Sequence, residues 1–197
     1  MRKIEITEDE NYALKQIFKT FDKYKTPQEI FYILCFCICV SQTSQFKTFK
    51  VVNILRNLDF YNTNYEDHML IPILKDKTFS PKNKVKRLLS AKKDFDLILR
   101  ILEMEKKSSS ELRDLLVKFI GGLGMKTATH FLRNLGFRNL VILDNSILKF
   151  LQSKRPTSNK KYKEIEEKFI KISEANFINS SKLDILIRLR DNWMMFV

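Results

Sequence analysis

The 197-residue sequence predicts an all-α protein. Two observations carry that reading: helix-start signatures recur along the chain, and no Asn-Gly or Asp-Gly dipeptide marks a tight hairpin. Taken in order, the first element opens at Thr26-Pro27-Gln28-Glu29, a capping box with proline at the first helical position. It leads into the apolar run Ile30 to Val40, and a helix apolar on all sides belongs at the centre of a core. Ser108-Ser109-Ser110-Glu111 is a second capping box, opening a helix over Leu112 to Ile120 that feeds a glycine turn and then another helix. Asp144 takes the N-cap position before Asn145 to Leu151, and Ser158 caps Asn159 to Ile172. Asn179 to Ser181 precede a last helix through Leu183, Leu186, Ile187 and Leu189. The polar stretches Asn62 to Asp67, Lys75 to Lys84 and Gln152 to Asn159 read as loops.

Composition narrows the partners. The chain has 36 Lys and Arg against 23 Asp and Glu, a net charge of +13, which points to a polyanion. An AT-rich genome, whose codons favour lysine whatever the function, is the competing explanation. The length suffices for a core, as one domain or as two small helical lobes sharing a cleft. Cys35, Cys37 and Cys39 sit two apart in the apolar run, so on a helix the middle one points away from the others. They read as small core residues in a reducing compartment and not as metal ligands. That run is shorter than the ~20 residues of a membrane span, and Met1 to Glu5 lack the apolar core of a signal peptide. A soluble intracellular protein, free of any membrane, is expected.

All four glycines fall between Gly121 and Gly136. Gly122-Leu123-Gly124 joins two helices, and the backbone N–H groups at the start of the second helix form a place where a phosphate can dock. Lys126 follows in the first turn, an electropositive position that favours the neutral, nucleophilic amine and hence Schiff-base chemistry at a carbonyl carbon. Asp144 stands where a carboxylate is stabilised and can face a cation. Taken singly, each has a plainer reading: an αα-hairpin, a phosphate contact, a cap.

Together, Ile120-Gly121-Gly122-Leu123-Gly124-Met125-Lys126-Thr127-Ala128-Thr129-His130 through Gly136, followed by Val141-Ile142-Leu143-Asp144, closely resemble the helix-hairpin-helix DNA glycosylase superfamily. Within it the best match is the type-2 8-oxoguanine DNA glycosylase/AP lyases of archaea and bacteria. Cys39-Val40-Ser41-Gln42-Thr43, Asn83 to Leu89 and Lys182 to Leu186 resemble further segments, so the likeness runs from about Thr26 onward.

The resemblance implies a single unit of two helical lobes over 1–197, with the hairpin at about 108–136 and a cleft between the lobes. It makes Lys126 the nucleophile and Asp144 its partner. It places Gln42 at the gap left by an extruded base, with Gly122, Gly124, Thr127, Lys84 and Lys86 contacting DNA and with Phe79, Arg188 and Val197 as candidates for the base pocket. It implies no redox cofactor or catalytic metal, allows a monovalent cation at the hairpin carbonyls, and suits a monomer acting on double-stranded DNA that contains a damaged base. The iron–sulfur branch of the superfamily is set aside, because no cysteine follows Cys39.

Three departures bear on specificity. The family's Arg-His after the aspartate is Asn145-Ser146 here, the C-terminus reads Asn192 to Val197 where the family often ends in lysine, and Arg188 stands where an aromatic is frequent. A non-catalytic hairpin module and a glycosylase for another lesion, such as an alkylated purine, stay open. His68 reads as a surface residue and His130 as a packing residue.

Overall fold

The computed structural model describes residues 3–22 and 25–193, and no strand occurs among them. Eleven helices occur among the described residues: α1 (Glu8–Phe21), α2 (Pro27–Cys39), α3 (Gln45–Asn57), α4 (Asp67–Leu74), α5 (Pro81–Lys93), α6 (Phe95–Leu102), α7 (Ser109–Phe119), α8 (Met125–Asn134), α9 (Asn145–Phe150), α10 (Asn159–Ala175) and α11 (Ser180–Trp193). None is long and apolar enough to cross a membrane.

The expected starts are present as hydrogen bonds. Thr26 Oγ1 accepts from Glu29 N at 3.3 Å while Glu29 Oε2 accepts from Thr26 N at 2.7 Å, and Ser108 and Glu111 repeat the exchange at α7. Some boundaries differ from the sequence reading. The stretch Lys75 to Lys84 is loop only as far as Ser80, because Ser80 takes a left-handed φ of 54° and Pro81 then opens α5. Lys82 and Lys84 are therefore helical. α10 also runs past Ile172 to Ala175.

The chain divides into two units, 24–131 and 1–23 with 132–197, the second division falling inside α8. In the first, α2 packs against α3 and α5. Phe31, Tyr32, Leu34, Cys35, Cys37, Ile38 and Cys39 on α2 are all buried, each large side chain contributing about 1.5–3 kcal/mol. The Phe31 ring meets those of Tyr32, Phe60, Tyr61 and Phe95 with centroids 5.1–5.5 Å apart. The three thiols are free and buried; burial pushes Cys35 up and Cys39 to about 12. They are core residues, as the apolar run predicts.

In the other unit α11 packs against α1, α9 and α10. Arg190 ties α11 to α1, its Nε 2.6 Å from Glu10 Oε1. Between α8 and α9 runs an extended segment, Leu140-Val141-Ile142-Leu143, buried throughout. With no neighbouring strand, its backbone is satisfied by side chains from α10 and α11. Glu166 Oε1 accepts from Val141 N at 3.0 Å, Asp184 Oδ2 from Ile142 N at 3.0 Å, and Tyr162 Oη from Leu143 N at 3.3 Å. The hydroxyl of Tyr162 in turn donates to Val141 O at 2.8 Å. The amides of Val141, Ile142 and Leu143 each have a partner, which offsets the cost of burying this non-helical run, and it delivers the chain to Asp144.

Candidate active site

The hairpin is anchored by alternate residues. After α7, Ile120 turns to an extended conformation (φ −103°, ψ 112°), and Leu123 N donates to Ile120 O at 3.3 Å. Ile120, Leu123 and Met125 are buried, whereas Gly121, Gly122, Gly124 and Lys126 are exposed. The glycines serve different ends. Gly122 has a φ of +83°, and a Cβ there would lie 2.7 Å from Arg87 Cγ; at Gly121 it would lie 2.9 Å from Ser90 Oγ. Both sites let the turn close onto α5. Only at Gly124 would a Cβ meet nothing within 4 Å, so this is the position open to an approaching backbone.

Gly124 O accepts from Ala128 N at 3.0 Å, which makes this glycine the N-cap of α8. It has no side chain to cap the first amides, and the first turn of α8 holds no acidic residue. The end is therefore electropositive and suited to an anion. The buried face of α8 carries Met125, Ala128, Thr129, Leu132 and Arg133; that pattern sends Lys126 outward from its second position, with the half-buried Thr127 beside it. His130 packs edge-on against Phe36 with centroids 6.0 Å apart, and His68 is exposed beside Glu66.

Asp144 caps α9, its Oδ1 accepting from Ile147 N at 3.1 Å. Its Oδ2 lies 3.0 Å from Arg188 Nε. That N–H is not aimed as a hydrogen bond, so the contact is an ion pair. Arg188 also donates from Nη2 to Asp184 Oδ1 and, at 3.4 Å, to Ile142 O. Asp184, wholly buried, pairs in addition with Arg133, itself 2% exposed. The chain Arg133–Asp184–Arg188–Asp144 thus fixes the aspartate from behind. Two carboxylates and a carbonyl thus hold the guanidinium of Arg188, a base-pocket candidate whose side chain is 25% exposed. Asn145 and Ser146 have local partners as well, Asn145 Oδ1 accepting from Arg155 at 3.0 Å and Ser146 Oγ donating to Asp191 at 2.5 Å. Val197 lies outside the described residues.

Around the turn that follows α2, Gln42 is exposed with a left-handed φ of 56°. It shares an open depression with Phe79, Lys47, Lys75 and Lys77, and Phe79 is 59% exposed. Lys86 lies on the solvent face of α5 with Lys82 and Arg87. Lys84 does not join them. It is 4% exposed, and its ammonium is occupied by Cys39 O, by Ser41 O at 2.8 Å, by Thr43 Oγ1 at 2.7 Å and by Thr78 Oγ1 at 2.6 Å. The ammonium expected to contact DNA thus faces inward, onto these four oxygens. The sequence does hold the signal: Lys84, Val85, Leu88 and Ala91 recur at helical spacing, so Lys84 falls on the buried stripe of α5. Arg133 and Asp184 fall in apolar stripes in the same way.

A helical chain with a glycine hairpin leading into a lysine-bearing helix is a helix-hairpin-helix protein. Residues 13–178 match the profile of the family described as 8-oxoguanine DNA glycosylase (Ogg-HhH), and the chain belongs to that family. It is 32% identical over 174 residues to the 8-oxoguanine DNA glycosylase/AP lyase of Thermoplasma volcanium, covering 86% of this chain and 83% of the relative. The crystal structure of 8-oxoguanine DNA glycosylase from Methanocaldococcus jannaschii superposes with a TM-score of 0.80 at 26% identity, over 91% of this chain and 87% of that one. The glycosylase/lyase of the same organism in complex with a 15mer DNA containing 8-oxoguanine has the same fold, with a TM-score of 0.78 at 24% identity over 90% and 88% of the two chains.

Proposed function

We propose that the chain is a bifunctional DNA glycosylase/AP lyase of base-excision repair that removes 8-oxoguanine from duplex DNA inside the cell. The observation that carries this reading is the exposed Lys126 in the first turn of α8, directly behind the hairpin, in a chain that belongs to this family. DNA is held through phosphates at Gly122, Gly124 and Thr127 and on the outer face of α5 at Lys86. Gln42 enters the gap left by the extruded nucleotide, and Phe79 lies beside it.

Chemistry follows from the two site residues. The neutral amine of Lys126 forms a bond to C1′ as the bond from C1′ to the oxidised base breaks, the base leaving with the electron pair and taking up a proton. Asp144 stabilises the positive charge on the sugar and accepts a proton from the attacking nitrogen. Opening of the sugar gives a Schiff base, and loss of a proton from C2′ then expels the 3′ phosphate by β-elimination. Arg188 and the Ile147 amide keep the Asp144 carboxylate oriented while this occurs.

Borohydride trapping tests the proposal with an 8-oxoguanine:cytosine duplex and an abasic duplex in parallel. Covalent adducts on both, lost in Lys126→Gln, are expected. An adduct on the abasic duplex alone would keep the lyase and reassign the lesion; no adduct on either would leave a DNA-binding module.

A further inference from the structure

The buried Lys84 has no part in the chemistry above, yet it is placed at some cost. Burial lowers the proton affinity of its amine, and its four oxygen partners are neutral, two carbonyls and two hydroxyls. An apolar residue at this position would join Val85, Leu88 and Ala91 on the buried face of α5 without that desolvation. What the ammonium adds is a single point that pins three segments. It sits at the C-terminal end of α2, a helix with no basic residue in its last turn, where a cation is favoured by the dipole and by unsatisfied carbonyls. It holds Ser41 and Thr43, the residues on either side of Gln42, and it holds Thr78 from the loop before α5. Thr43 Oγ1 extends the junction, lying 3.1 Å from Thr78 Oγ1 and accepting from Phe79 N at 3.1 Å. Gln42, gripped on both flanks, points outward in a left-handed conformation that costs a non-glycine residue roughly 1–2 kcal/mol.

We infer that Lys84 is a positioning residue for Gln42: its ammonium fixes the turn after α2 in the one conformation that presents the Gln42 side chain for insertion. The inference rests on the proposed insertion of Gln42 into DNA. The same junction holds the backbone of Phe79, which lines the depression with Gln42.

A double-mutant cycle tests it, read by single-turnover excision and by the fluorescence of 2-aminopurine placed beside 8-oxoguanine, which rises when its neighbour unstacks. Gln42→Ala and Lys84→Met are each expected to slow excision roughly 10- to 100-fold, the scale of a mispositioned group, and to diminish the fluorescence rise. The double variant is expected to be no slower than the slower single. Thr43→Val, which removes one hydroxyl of the junction and keeps the ammonium, gives the same cycle with a loss of a few-fold and serves if Lys84→Met fails to fold. Additive losses would overturn the role of Lys84 and leave that of Gln42. A Gln42→Ala variant with parental excision and fluorescence would overturn both.

Discussion

Replacing Asp184 by asparagine isolates the network behind the proposed catalytic aspartate. Its carboxylate is wholly buried and takes Arg133, Arg188 and the Ile142 amide, the last at 3.0 Å. Asparagine keeps the size and one acceptor but removes the charge, stranding the Arg133 guanidinium at 2% exposure. Breaking a buried ion pair from one side costs about 3–5 kcal/mol, and in a chain of this size each kcal/mol lowers the melting temperature by about 2–4 °C. A fall on the order of 10 °C is therefore expected, with a matching shift of the urea midpoint followed by far-ultraviolet circular dichroism. Replacing both partners, Arg133→Met with Asp184→Leu, strands no charge between them. That pair is expected to lose less than the single change even though Ile142 N gives up its acceptor. A single variant within about 1 kcal/mol of the parent, or a double variant less stable than the single, would show that the pair does not bear on stability in this way.

Three further outcomes follow from the geometry. Gly122→Ala, at a φ of +83°, is expected to lose about 1–2 kcal/mol of stability, whereas Gly124→Ala loses roughly 0.5–1 kcal/mol as a poorer cap yet binds duplex DNA several-fold more weakly; fluorescence anisotropy alongside melts separates the two, and unchanged binding in Gly124→Ala would count against the open face. Arg190 and the Thr7 capping box hold the Glu10 carboxyl down at about 2, from 4.5. Being depressed, this group stabilises the fold fully above its unfolded value and loses that contribution as pH falls from about 5 towards 2. With the Arg190 side chain 43% exposed, solvent screening leaves about 1–2 kcal/mol, so urea midpoints of Glu10→Gln should depend less on pH than the parent's over that window. Arg188→Met, which frees Asp144 Oδ2, is expected to slow single-turnover excision about 10-fold with little change in the dissociation constant for DNA; an equal change in both would mean a general loss of structure.

The sequence was most legible where a local rule operates. Thr26, Ser108, Asp144 and Ser158 all cap the helices their side chains announce, and the glycine turn joins two helices as its spacing requires. Thr7 with Glu10 is an equally complete signal for α1. The extended segment Leu140–Leu143 is different, for its four apolar residues have strand composition and only distant side chains fix their backbone. Lys84 and Arg188 mark what a linear reading leaves open. A cation read along the chain looks like a partner for phosphate, and whether it faces water depends on acceptors that the fold brings from 41 to 45 residues away in the case of Lys84 with Thr43, Ser41 and Cys39. Periodicity could have placed both on inward faces; it could not have named what they meet.

The extended segment has a consequence for the order in which the protein matures. During synthesis, Leu140 to Leu143 are made before Tyr162, Glu166, Asp184 and Arg188, whose side chains hold backbone groups of Val141, Ile142 and Leu143. Until those residues exist and have docked, four consecutive apolar residues with open backbone groups are available for adventitious strand pairing. Asp144, which follows them directly, lacks Arg188 for the same interval. Asp144 thus acquires its surroundings only when α10 and α11 close over this segment, and a nascent or partly unfolded chain carries the aspartate without the arginine that orients it.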